Sequence, residues 1–127
     1  MWPFRRRLSG DEGERLARRR LRRDGYKILS HNYRCPSGEV DIIALAPNRE
    51  GAKPLVFVEV KTRATDRYVD PASAVDSAKR EHILAAARYY LANHAADDYA
   101  VRFDVISVLL VAGQEPKINH IVDAFSA

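Results

Sequence analysis

The 127-residue sequence predicts an α/β domain of about five strands flanked by two helices, and three observations carry that expectation. Runs rich in β-branched and aromatic residues at 26–33, 39–46 and 55–62 are separated by PSG and PNREGAKP, segments made of turn residues. Apolar residues at three- and four-residue steps mark a helix on either side of that group. A hydrophobic content of 46% with 30% charge suits one compact domain over residues 1–127 with its own core.

The elements follow in order. Residues 1–9 read as a basic, flexible lead-in. Ser9 with Glu12 three places later has the form of a capping box, and Gly25 suits the position just past a helix end, which predicts a helix over 10–24. On it Glu14, Ala17 and Leu21 fall on one stripe. Three strands then form a meander. Asp70-Pro71 opens a second helix that continues to about His94, with Ala74, Ala78, Ile83, Ala87 and Leu91 on its apolar side. Strands over 101–111 and 117–122 close the chain.

Two strands carry charge where a core face is expected. In LVFVEVKTR, Glu59 and Lys61 leave the same face as Leu55 and Phe57, while Val56, Val58 and Val60 occupy the other. In GEVDIIAL, Asp41 shares a face with Glu39, Ile43 and Leu45, opposite Val40, Ile42 and Ala44. An ionised carboxylate on such a face costs several kcal/mol unless it is paired, hydrated or given a cation. Glu14, Asp41 and Glu59 can converge, and an all-oxygen set of this kind suits Mg²⁺, which takes one or two carboxylates with waters and a phosphate oxygen. Lys61 could then orient a water or face developing phosphate charge. The plainer alternative is a Glu59–Lys61 ion pair along the strand.

Charge is also uneven along the chain. Residues 1–34 hold eleven Lys/Arg against four acids, and the remainder holds ten against thirteen. That basic end suits a polyanion, with Arg15, Arg18, Arg19 and Arg22 as candidate phosphate contacts; a solvated helix face is the alternative. Arg34, Arg63 and Lys79 are further candidates for nucleic-acid contact. No apolar run is long enough to cross a bilayer, and the N-terminus lacks a secretory h-region, so a cytoplasmic protein without a membrane partner is expected. The single Cys35 reads as a loop thiol, His120 as a satisfied histidine, and Asp104 as a supporting residue outside the catalytic set.

GEVDIIA, FVEVKTR, the helix bearing Lys79, RFDVI, GERLA, NYR and INHIVDAF together resemble the YraN-like family of bacterial proteins, placed in the restriction-endonuclease-like PD-(D/E)xK superfamily. The resemblance covers residues 10–125 and implies a mixed αβββαβ-type core with a nuclease-like site. The pattern is similar to that of archaeal Holliday junction resolvases, whose helix Glu, strand Asp and ExK pair fall on Glu14, Asp41, Glu59 and Lys61. Val40 stands where the superfamily's name would place proline. The expectation that follows is a Mg²⁺- or Mn²⁺-dependent endonuclease for DNA, branched or structured DNA included. In it Asp41, Glu59 and the Val60 carbonyl hold the ion, Glu14 binds a second ion or a water, and Lys61 orients the nucleophile. A second copy of the chain is a candidate partner. Two other readings stand beside it, a noncatalytic nucleic-acid-binding module of the same fold and a protein-interaction adaptor docking through its basic helix.

Overall fold

The backbone runs α1 (Phe4–Arg23), β1 (Lys27–Cys35), β2 (Gly38–Leu45), β3 (Pro54–Arg63), α2 (Ser77–Asn93), β4 (Ala100–Leu109) and β5 (Lys117–Phe125). This computed structural model describes residues 4–47, 54–64, 76–94 and 100–127, with side chains from Asp11 onward.

Helix α1 starts six residues before the predicted boundary, so Ser9 lies inside it and not at its N-cap. The reason is local: Phe4 to Leu8 contains no proline or glycine, and arginine and leucine favour helix. Its end is as expected. Gly25 adopts φ +90°, a conformation that costs a side chain with a Cβ, and the Tyr26 N–H reaches back to the Leu21 carbonyl at 2.9 Å while the Gly25 N–H reaches Arg22 at 3.0 Å. These two bonds close a Schellman motif that turns the chain into β1.

Helix α2 is capped by Asp76, whose Oδ1 accepts from the Lys79 N–H at 2.9 Å. The predicted start at Asp70-Pro71, and Ala74 with it, lie outside the described residues. Ala78 is exposed rather than buried; the buried side of α2 is Ile83, Leu84, Ala86, Ala87 and Tyr90. Tyr90 anchors it, edge-on to both Tyr33 and Phe57.

The five strands form one sheet in the order β1-β2-β3-β4-β5. The first three are an antiparallel meander, β3 and β4 run parallel, and β5 returns antiparallel. A parallel pair needs a long crossover, which α2 provides. Because α1 covers one face and α2 the other, β3 is apolar on both sides. Leu55, Phe57, Phe103 and Val105 pack with α2, while Val56, Val58, Ile106 and Val108 pack with Ala17 and Leu21 of α1. The result is the expected α/β mixed sheet between helices, a restriction-endonuclease-like core.

Three sequence expectations are corrected here. Cys35 ends strand β1, half-buried against the α2-side core, instead of lying in a loop. Strand β5 continues three residues further, to Phe125, through a register shift and Asp123 at φ 55°. Val40 does not share a face with Ile42 and Ala44: it packs on the α2 side and they pack on the α1 side. The strand rotates between Val40 and Ile42, where β2 begins to leave β3. Among the described residues no helix is long and apolar enough to cross a membrane.

Candidate functional site

The departure of β2 from β3 creates the site. Their ladder pairs Leu45 with Leu55 and runs to Ile42 with Val58, then stops, although β3 stays paired with β4 as far as Arg63. On the other side of β2, the β1 ladder skips the Asn32–Asp41 position, and Asn32 adopts φ 53°. The two strands thus form a fork with Asp41 at its crotch. Its Oδ2 accepts the Val60 N–H at 2.7 Å, the proton that a continued ladder would have given to a main-chain carbonyl. Since the N–H and C=O of one strand residue point to the same side, the Val60 carbonyl also faces the fork.

Three carboxyl groups meet around that crotch. Glu59 has the parity of Leu55 and Phe57, lies on the α2 side and is 3% exposed. The Asp41 carboxyl is a close enough neighbour to act on the ionisation of Glu59. Burial, followed by Asp41, pushes the Glu59 carboxyl up to about 8, with Lys79 pulling the other way. Glu14 approaches from α1, on the stripe predicted with buried Ala17 and Leu21. Burial, then Asp41 and Asp11, raise it to about 7 against the opposing pull of Arg18 and Arg34. Its Oε1 is buried and has no hydrogen-bond partner. A recess of about 170 Å³ lies beside it, lined by Glu14, Asn32, Arg34, Glu39, Val40 and Asp41.

Close approach of α1 to the sheet sets the position of Glu14. A Cβ on Gly13 would overlap the Thr62 side chain of β3, so only glycine lets the helix lie this near the strand. Gly13→Ala should push this end of α1 away, cost about 1–3 kcal/mol by overpacking, and return the Glu14 carboxyl toward an ordinary pKa. Carboxyl titration by NMR together with a thermal melt checks both effects.

This donor set fits a hard divalent ion. An orphaned buried carboxylate oxygen, two neighbouring carboxyl groups and a main-chain carbonyl facing the same fork are all oxygen donors. Asp41, Glu59 and the Val60 carbonyl would hold such an ion, with Glu14 reaching it through a water. Among the described residues no three His, Cys, Asp or Glu side chains are clustered tightly enough to bind an ion by themselves. One or two carboxylates suffice for Mg²⁺, which keeps several waters.

The remaining candidates separate into groups. Lys61 is half-buried on β3, one face-step beyond Glu59, and forms no ion pair with any described residue. The ion partner of Glu59 is Lys79, Nζ to Oε2 2.6 Å, a link that the sequence did not reveal because α2 reaches the fork only after an intervening segment. Arg15, Arg19 and Arg22 are exposed along α1 and Arg18 is half-buried near Glu14. Arg34 borders the recess and pairs with Glu39 at 3.4 Å. Arg63, half-buried, ends β3. Cations therefore surround the carboxyl groups from α1, β1, β3 and α2.

A second polar cluster lies on the α1 side between β4 and β5. Asp104, 0% exposed, accepts two bonds from Arg102, one from His120 Nε2 at 2.7 Å and one from the Asp123 N–H at 2.9 Å. Arg102 also donates to the Tyr26 hydroxyl at 2.8 Å. Burial opposes ionisation of Asp104, but the bonds from His120, Arg102 and Asp123 outweigh it and hold the carboxyl below its ordinary value. His120 is satisfied, as expected, and Asp104 is the hub of an internal network.

Comparison with known proteins gives the same lineage. The model of the uncharacterised protein family UPF0102 matches residues 13–108. A UPF0102 protein of Geobacter metallireducens is 48% identical over 116 residues, covering 91% of this chain and 90% of that protein. One from Pelobacter propionicus is 45% identical over 119 residues, covering 94% and 83%. A third, from Caldanaerobacter subterraneus, is 42% identical over 118 residues, covering 91% and 93%. The matched stretch runs from Gly13, which seats α1 on β3, through the fork and α2 to the penultimate residue of β4. With its fork, its carboxyl cluster and this similarity over most of its length, the chain belongs to the UPF0102, or YraN-like, family.

Proposed function

We propose that the protein is a metal-dependent endonuclease that hydrolyses phosphodiester bonds in DNA, branched or structured DNA included. The single observation that carries this reading is the fork itself: Asp41 and Glu59 are close neighbours where the β2–β3 ladder ends, with the Val60 carbonyl facing the same gap. Such an arrangement is unfavourable for folding alone, because two neighbouring acids need a proton or a cation between them. A divalent ion there supplies the positive charge that phosphodiester hydrolysis requires.

Each residue has a distinct part in this reading. Asp41 and Glu59 fix the position of the ion against the sheet, and Glu14, with its free Oε1, orients a water from the α1 side. The Lys61 ammonium, not engaged with Glu59, faces the attacking water and the charge that develops on the phosphate. The arginines of α1 and β1 would meet the flanking phosphates and make affinity fall steeply with salt.

The test is a panel of linear, single-stranded, flap and four-way DNAs incubated with Mg²⁺ or Mn²⁺. Wild-type protein should nick at least one member, and Lys61→Ala should lower that rate by about a hundredfold while leaving Mn²⁺ binding intact, the usual scale for losing one positioned electrostatic group. Wild-type protein that is inert on every member, yet binds DNA with a steep salt dependence, would favour the noncatalytic module. Lys61→Ala cleaving at the wild-type rate would remove Lys61 from the mechanism.

A further inference from the structure

Lys79 sits in the first turn of α2, where the helix dipole disfavours a positive charge. What holds it there is Glu59, at 2.6 Å, with Asp41 and Glu39 adding to the attraction. The two partners are unequally placed. The Glu59 side chain is 4% exposed and fixed in the core, whereas that of Lys79 is 42% exposed on a long, flexible stem. The ammonium can therefore leave into solvent, and the carboxylate cannot follow it.

We propose that Lys79 is a built-in counter-ion that occupies the cation seat on Glu59 and must be displaced when a divalent ion binds, so that it sets the metal concentration at which the fork becomes loaded. This rests on the metal-binding reading of the fork. A compact monovalent ammonium at 2.6 Å compensates the buried Glu59 carboxyl once it ionises, a charge that would otherwise be destabilising there. A divalent ion bound through Asp41, Glu59 and the Val60 carbonyl offers more charge to the same oxygens, and the two cations compete by mass action. Lys61 has no such partner among the described residues and takes no part in this competition.

Calorimetric titration of metal-free protein with Mn²⁺ tests this in wild type, Lys79→Met, Lys61→Met and Asp41→Asn. Lys79→Met should bind Mn²⁺ about tenfold more tightly than wild type, Lys61→Met should bind about equally, and Asp41→Asn should lose binding. Wild-type binding with Lys79→Met unchanged or weaker would overturn the role of Lys79 and leave the metal site standing. No Mn²⁺ binding by wild type or by Lys79→Met would overturn the metal site and the Lys79 inference together. A second measurement needs no variant: acetic anhydride labelling of Lys79 in wild-type protein should rise about tenfold on Mn²⁺ saturation, with exposed Lys27 and Lys117 as unchanged references. Lys79 remaining protected at saturating Mn²⁺ would also overturn the inference.

Discussion

Asp41→Asn should abolish cleavage, lowering it by about 10³-fold or more, and yet raise the melting temperature of the metal-free protein at pH 8. The amide oxygen of asparagine still accepts the Val60 N–H, so the fork keeps its shape. What disappears is the negative charge that adds to burial in raising both Glu14 and Glu59. The pH dependence has a definite sign. Both glutamates titrate in the folded protein at about 7 and about 8, above the ordinary 4.5, so between those limits the native state holds more protons than the unfolded chain. Stability contributed by the protonated carboxyls is present at pH 5 and declines as pH rises to 8, by an amount on the order of a few kcal/mol. Asp41→Asn should therefore gain about 3–6 °C at pH 8 and almost nothing at pH 5. Saturating Mn²⁺ should restore wild-type stability at pH 8 and leave the variant unmoved. Melts at both pH values, with and without Mn²⁺, read all four conditions. A variant that melts below wild type at pH 8 would show that the Asp41 charge stabilises the fold.

Asp104→Asn should be the most destabilising of the polar substitutions, because Asp104 neutralises Arg102 and holds His120 from a fully buried position. Removing the anion leaves the partly buried Arg102 guanidinium uncompensated and puts an amide among more donors than its oxygen can accept, at a cost of about 2–3 kcal/mol, which lowers the melting temperature on the order of 10 °C. The network lies on the α1 side of the β4–β5 pair, while Glu59 and Lys79 lie on the α2 side. Mn²⁺ affinity measured well below the melt should therefore be unchanged. The acid limb has the opposite sign from that of the fork. Asp104 titrates below its ordinary value in the folded protein, so its contribution is complete above about pH 4 and is lost as pH falls further. Loss of Mn²⁺ binding in a folded Asp104→Asn protein would instead assign the network to the site.

Period and punctuation were enough for most of the fold. Strands β2 and β3 alternate strictly between the α1-side and α2-side cores over Ile42–Leu45 and Leu55–Val58, and Gly25 marked the end of α1 because only a left-handed residue closes that motif. The helix start was missed because a serine followed by glutamate looks like a cap wherever it occurs, and nothing upstream breaks the helix. Of the site, Glu14, Asp41 and Glu59 could be read because each placed an acid on an apolar stripe. Val40 was assigned to the wrong face by the same parity rule, since the rule assumes a ladder that ends at Ile42. Lys79 and the partners of Asp104 could not be read as such. Their contacts join residues 20, 16 and 19 positions apart through a crossover helix and a register shift, neither of which leaves a periodic trace.

Crystals grown with Mn²⁺ test whether the fork between β2 and β3 holds a metal ion. An anomalous difference peak is expected within about 2.1–2.3 Å of Asp41, Glu59 and the Val60 carbonyl, with Lys79 Nζ withdrawn from Glu59. Ordered density with no peak in the fork at saturating Mn²⁺, or a peak elsewhere with the Lys79–Glu59 pair unbroken, would contradict a metal site there.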